Sequence, residues 1–137
     1  RAGSQSADTA IVFSSLDSKI FEGTLTLAYR GEEYLYFDSL DLKSTAGRMS
    51  FQIERNEKYE NRIGSEVVEV STLSLRQIDL KLFETIFKGS DIQIRFNGSG
   101  QYLGNEAVIP VTAFYKKKIL SGITIFYGLE EGFSPVN

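Results

Sequence analysis

Residues 66–89 read EVVEVSTLSLRQIDLKLFETIFKG, and the hydrophobic period changes within them. Glu66-Val67-Val68-Glu69-Val70 is compact and β-branched, the composition of a strand. From Leu75 onward the apolar positions are Leu75, Ile78, Leu82 and Ile86, spaced as on one side of a helix, with Phe83 and Phe87 widening the stripe. The spacing predicts a helix over about 76–88. Ser74 with Gln77, or Asp79, can cap its start, and Lys88 followed by Gly89 marks its end. A chain that holds both periods in succession belongs to the mixed classes.

Toward the N-terminus the period of two dominates. Thr24, Thr26 and Ala28 alternate with Leu25, Leu27 and Tyr29, and after Arg30-Gly31-Glu32-Glu33 the run Tyr34 to Phe37 reads as the returning strand of a hairpin. Ser39 to Lys43 and Arg48 to Arg55, turned by Ser44-Thr45-Ala46-Gly47, predict a second antiparallel pair with Met49, Phe51 and Ile53 on one face. The polar stretch 56–64 reads as an exposed hairpin loop. Residues 1–9 are small and polar and read as a loose N-terminus.

Beyond the helix, Ile92, Ile94 and Phe96 alternate with Gln93 and Arg95, and Asn97-Gly98-Ser99-Gly100 breaks the run with the residues of a type I′ turn. Pro110 suits the first position of a second helix carrying Val111, Phe114, Tyr115 and Ile119 on one side and closed by Gly122; a strand over 107–115 is its competitor. Ile123 to Tyr127 reads as a strand or extended packing segment, and 128–137 as a loose tail. The expected architecture is a single α+β domain over 1–137, an antiparallel sheet of about five to seven strands packed against one or two helices, with a β-sandwich or barrel carrying one helix as the runner-up.

Composition limits the chemistry. The 137 residues contain no histidine, cysteine or tryptophan, so imidazole and thiol catalysis, disulfides and the nitrogen and sulfur ligands of transition-metal sites are absent. Fifteen basic against eighteen acidic residues leave a net charge of −3, the reverse of a nucleic-acid footprint. No apolar run is long enough to span a bilayer. The chain opens on Arg1 rather than methionine, as a processed or trimmed form would, which leans toward an extracytoplasmic or secreted protein.

Within these limits the aromatic cluster stands out. If Leu35 and Phe37 face the core, alternation turns Tyr34 and Tyr36 outward, where a large apolar face and a hydroxyl suit a partner surface. In the polar stretch, Tyr59 flanked by Arg55 and Arg62 has the residue types that dominate interface energetics. Lys116-Lys117-Lys118 fits the end of a helix, where lysines complement the dipole. Asn97-Gly98-Ser99 matches a glycosylation acceptor but is explained by turn chemistry. The carboxylate pairs, Asp38 with Asp41 among them, lack the pattern of a calcium loop. No catalytic residue, metal site or cofactor is indicated.

The first expectation is therefore a non-catalytic binding or interaction domain, an accessory protein of the cell envelope or a secreted protein, with a protein or small molecule as partner. A second is a carrier of a small apolar ligand in a pocket lined by Phe51, Phe83 and Phe114. The third is a carboxylate-dependent hydrolase or isomerase using Asp38 and Asp41.

Overall fold

The computed structural model describes residues 5–15, 21–54 and 57–132. Along the chain run β1 (Ser6–Ser15), β2 (Phe21–Gly31), β3 (Ser39–Ser44), β4 (Gly47–Gln52), β5 (Lys58–Ile63), β6 (Glu66–Ser74), α1 (Leu80–Phe87), β7 (Gln93–Asn97), β8 (Glu106–Pro110) and α2 (Ala113–Gly132). The fold is α+β, but its strands form two antiparallel sheets of four rather than one larger sheet, in the orders β1-β2-β6-β5 and β4-β3-β7-β8.

Alternation decides which faces meet. Leu25, Leu27 and Tyr29 of β2 point inward with Val67 and Leu73 of β6, and Leu40, Leu42, Ile94 and Phe96 do so from the second sheet. The Tyr29 and Phe96 rings, 5.6 Å apart, and Phe37, 4.9 Å from Phe96, join the two inner faces. α1, with Phe83, Ile86 and Phe87 buried, lies against β3 and β4, and α2, with Ile119, Ile123 and Phe126 buried, lies along β1. Both expected caps of the first helix are used: the Ser74 hydroxyl accepts from Arg76 N at the head of a 3₁₀ turn over Leu75–Gln77, and Asp79 accepts from Leu82 N at the head of α1.

Several expectations are corrected. Residues 6–9, read as loose, form the start of β1, paired from Ser6↔Arg30 onward; an edge strand tolerates polar residues because the neighbour supplies its backbone partners. The 34–37 run does not pair back on β2, whose neighbours are β1 and β6. The polar stretch is not a loop over 58–63 but the edge strand β5, turned into β6 at Gly64, whose φ is 64°. Asn97-Gly98 does not make a two-residue turn; β7 and β8 are joined by a longer loop containing a 3₁₀ turn at Gly100–Tyr102.

The second helix differs most. Pro110 closes β8 instead of opening a helix, and α2 continues through Gly122 and 123–127 to Gly132, so that 128–132 is helix and not tail. Gly122 stands where α2 approaches β1: a Cβ there would lie 3.0 Å from Ile11 Cδ1. The lysine run consequently sits near the start of α2, not its end. Of the three phenylalanines of the carrier reading, Phe51 and Phe83 are in the core while Phe114 is 69% exposed.

Candidate functional site

The segment 34–37 crosses between the sheets outside the strands of either, and Asp38 at its end bonds through its backbone to Asn97 and Ile53, at the ends of β7 and β4 in the second sheet. Leu35 and Phe37 are buried, leaving Tyr34 and Tyr36 half-buried on the outer side, as alternation suggested. Tyr36 has φ 49°, a left-handed conformation that is unusual for a bulky side chain and is sustained only by surrounding structure.

That support comes from Glu69. Its place on β6, between inward-facing Val67 and Ser71, sends a carboxylate into the interior with 0% exposure. Glu69 accepts three backbone hydrogen bonds from the crossing segment, from Leu35 N at 2.6 Å, Tyr36 N at 3.0 Å and Phe37 N at 3.0 Å. The register also sets Glu60 of β5 directly opposite Glu69, a like-charge pair that would repel. Lys58 resolves it: the ammonium lies 2.6 Å from Glu69 Oε1 and 2.9 Å from Glu60 Oε2, and 4.0 Å from the centre of the Phe37 ring. From the β7–β8 loop, Ser99 N donates to Leu35 O at 3.2 Å and the Ser99 hydroxyl donates to Tyr36 O.

Pinned from both sides, the segment displays a row of aromatic rings. Tyr34 and Tyr36 stack at 4.8 Å with an interplanar angle of 15°, and Tyr102, carried on the β7–β8 loop, lies 5.6 Å from Tyr36. The Arg62 guanidinium lies over the Tyr34 ring, 5.6 Å from its centre. Partial burial, and then the neighbouring Tyr34, Glu60, Tyr102 and Glu69, push the Tyr36 hydroxyl above its ordinary value, so it remains a neutral donor. Tyr34 and Tyr102 also border an open cleft of about 400 Å³ shared with Glu33, Asn105 and Glu106.

Of the residues singled out in the sequence, Tyr34, Tyr36 and Arg62 come together. Tyr59 does not join them; it faces the opposite side of β5 and is 60% exposed. Arg55 lies outside the described residues. Sequence reasoning missed Tyr102, hidden in a segment read only as a turn, and the supporting pair Lys58 and Glu69. Glu69 had left one trace, a carboxylate sharing its strand face with Val67 in an otherwise β-branched run.

The carboxylates proposed for hydrolysis are differently placed. Asp41 lies on the outer face of the second sheet and accepts from Ser50 Oγ at 2.6 Å, Arg95 Nη2 at 2.8 Å and Nε at 3.0 Å, and Asn97 Nδ2 at 3.1 Å. Partial burial raises its pKa, but the bonds from Ser50, Asn97 and Arg95 with the Arg95 charge outweigh this and hold the carboxyl below its ordinary value. Among the described residues no group of three or more acidic side chains is placed to hold a metal ion, and no helix is long and apolar enough to cross a membrane. No family model, curated protein or solved structure matches the chain.

Proposed function

We propose that the protein is a non-catalytic binding domain that engages a protein partner through the ledge formed by Tyr34, Tyr36, Tyr102 and Arg62. The observation that carries this reading is the left-handed backbone at Tyr36, held by a buried carboxylate that spends its hydrogen bonds on the segment displaying the rings. Strain that is stabilised by dedicated partners, at a residue whose side chain reaches the surface, is the pattern of a recognition site. Tyrosine and arginine supply large contact area with polar edges and little rotamer entropy to lose.

The test compares partners captured by the wild-type chain with those captured by Tyr34→Ser/Tyr102→Ser, using Tyr59→Ser as the matched control. A partner that binds the purified wild-type chain directly, retains affinity for the control and loses at least about tenfold on the double variant supports the ledge. Equal affinity for wild type and double variant removes it.

A further inference from the structure

Among the described residues Lys43, Arg48, Ser50 and Arg95 are exposed on the outer face of the second sheet, whose register sorts the side chains into rows. One row is Ser50, Asp41 and Arg95, whose charges cancel. The next is Arg48, Lys43 and Gln93, standing side by side across β4, β3 and β7. Directly opposed residues on one sheet face have Cβ atoms roughly 4.5–5.5 Å apart, and like charges so placed destabilise the sheet.

Elsewhere this fold compensates such a clash, as Lys58 does between Glu60 and Glu69. Here it does not. Among the described residues neither the Lys43 ammonium nor the Arg48 guanidinium has an ion-pair or side-chain hydrogen-bond partner. The nearby acid Asp41 is already engaged by Ser50, Arg95 and Asn97. Asp91, on the wall of the adjoining cleft, pairs with neither cation. The two cations and the Gln93 amide also border two surface clefts, one of about 250 Å³ on the Asp41 side and one of about 450 Å³ toward Thr45. An unneutralised cation pair with an amide donor beside it, opening onto concave surface, is complementary to a compact oxyanion: a guanidinium offers paired donors and an ammonium a point charge.

We infer that Arg48, Lys43 and Gln93 form a binding site for a phosphate group. The site lies on the second sheet and involves no residue of the tyrosine ledge, so the two readings stand or fall separately. Two sources share this chemistry, a small phosphorylated molecule and the headgroup of an anionic phospholipid.

The experiment titrates the protein with inorganic phosphate at low ionic strength and follows backbone and side-chain ¹H–¹⁵N signals. A parallel arm measures co-sedimentation with phosphatidylglycerol vesicles. The expected result is saturable shifts centred on Lys43, Arg48 and Gln93, weakened at least about tenfold in Lys43→Gln/Arg48→Gln and unchanged in the charge-matched Lys117→Gln/Lys118→Gln. Saturable phosphate shifts without vesicle binding identify a free phosphorylated ligand; vesicle binding lost in the same double variant identifies the headgroup. In phosphate-free buffer the Lys43→Gln/Arg48→Gln variant should melt no lower than wild type, because it relieves a repulsion. Phosphate should raise the melting temperature of wild type and of Lys117→Gln/Lys118→Gln, but not that of Lys43→Gln/Arg48→Gln. Shifts spread over all the lysines, persistence of binding in the double variant, or no response in either arm overturns the assignment.

Discussion

Replacing Glu69 by alanine should be among the most damaging single changes this fold can suffer. The substitution orphans the backbone N–H groups of Leu35, Tyr36 and Phe37 and removes the closer of two carboxylates around Lys58. Each buried donor left without an acceptor costs about 1–3 kcal/mol, and removing one partner of a buried ion pair costs about 3–5 kcal/mol in all. These overlap, because Lys58 keeps Glu60 at 2.9 Å and water can enter the vacated space beside the half-buried tyrosines. The loss should therefore total about 3–5 kcal/mol, a large share of the roughly 5–15 kcal/mol typical of a domain. At an m-value of about 2 kcal/mol per molar in urea, the midpoint should fall by about 1.5–2.5 M. Glu60→Ala is the control: its side chain is 22% exposed and holds no backbone group of the crossing segment, so its loss should cost no more than about 1 kcal/mol. Glu69→Gln, which keeps one acceptor oxygen, should fall between the two. An alanine variant within about 1 kcal/mol of wild type, or a Glu60 variant equally damaged, would show that the segment is held by its apolar contacts rather than by the carboxylate.

Two further outcomes follow from local geometry. Tyr36→Val should lower the melting temperature more than Tyr36→Asn, because asparagine tolerates a positive φ and a β-branched residue does not; the reverse order would mean the left-handed conformation is not maintained in solution. For Asp41, whose folded pKa is depressed, the stabilisation is present above the ordinary value of 3.8 and is lost as pH falls through the folded pKa. Asp41→Asn should therefore melt below wild type at neutral pH, and the gap should close on acidification below that value; a gap independent of pH would refute the assignment.

What could be read along the chain, and what could not, divides by the range of the interactions. The alternation of Leu25, Leu27 and Tyr29, the β3–β4 hairpin and both caps around α1 were legible because each rests on neighbours within a few residues. Residues 123–127 misled because a β-branched run reads as a strand when its partners are unseen. Buried at Ile119, Gly122, Ile123 and Phe126 in a helix that lies along β1, the same stretch is helical, and packing overrides propensity. The site divides in the same way. Tyr34 and Tyr36 are half-buried and Leu35 and Phe37 buried, the pattern that alternation suggested, although the backbone at Tyr36 is not that of a strand. Tyr102 arrives from a residue 66 positions beyond Tyr36, and Arg62 from an edge strand that the sequence presented as a loop.

By itself, then, the sequence determined the mixed α+β class, the absence of imidazole and thiol chemistry, and the local signals for turns, caps and most strands. Only tertiary structure decided that the strands split into two sheets and that the aromatic run leaves the strand conformation. In both cases the deciding partners lie far apart in the chain: β2 pairs with β6 and β3 with β7. A buried carboxylate must be satisfied, and Glu69 finds its donors in a segment more than thirty residues earlier in the chain, so the conformation at Tyr36 is set by a partner that no local pattern encodes.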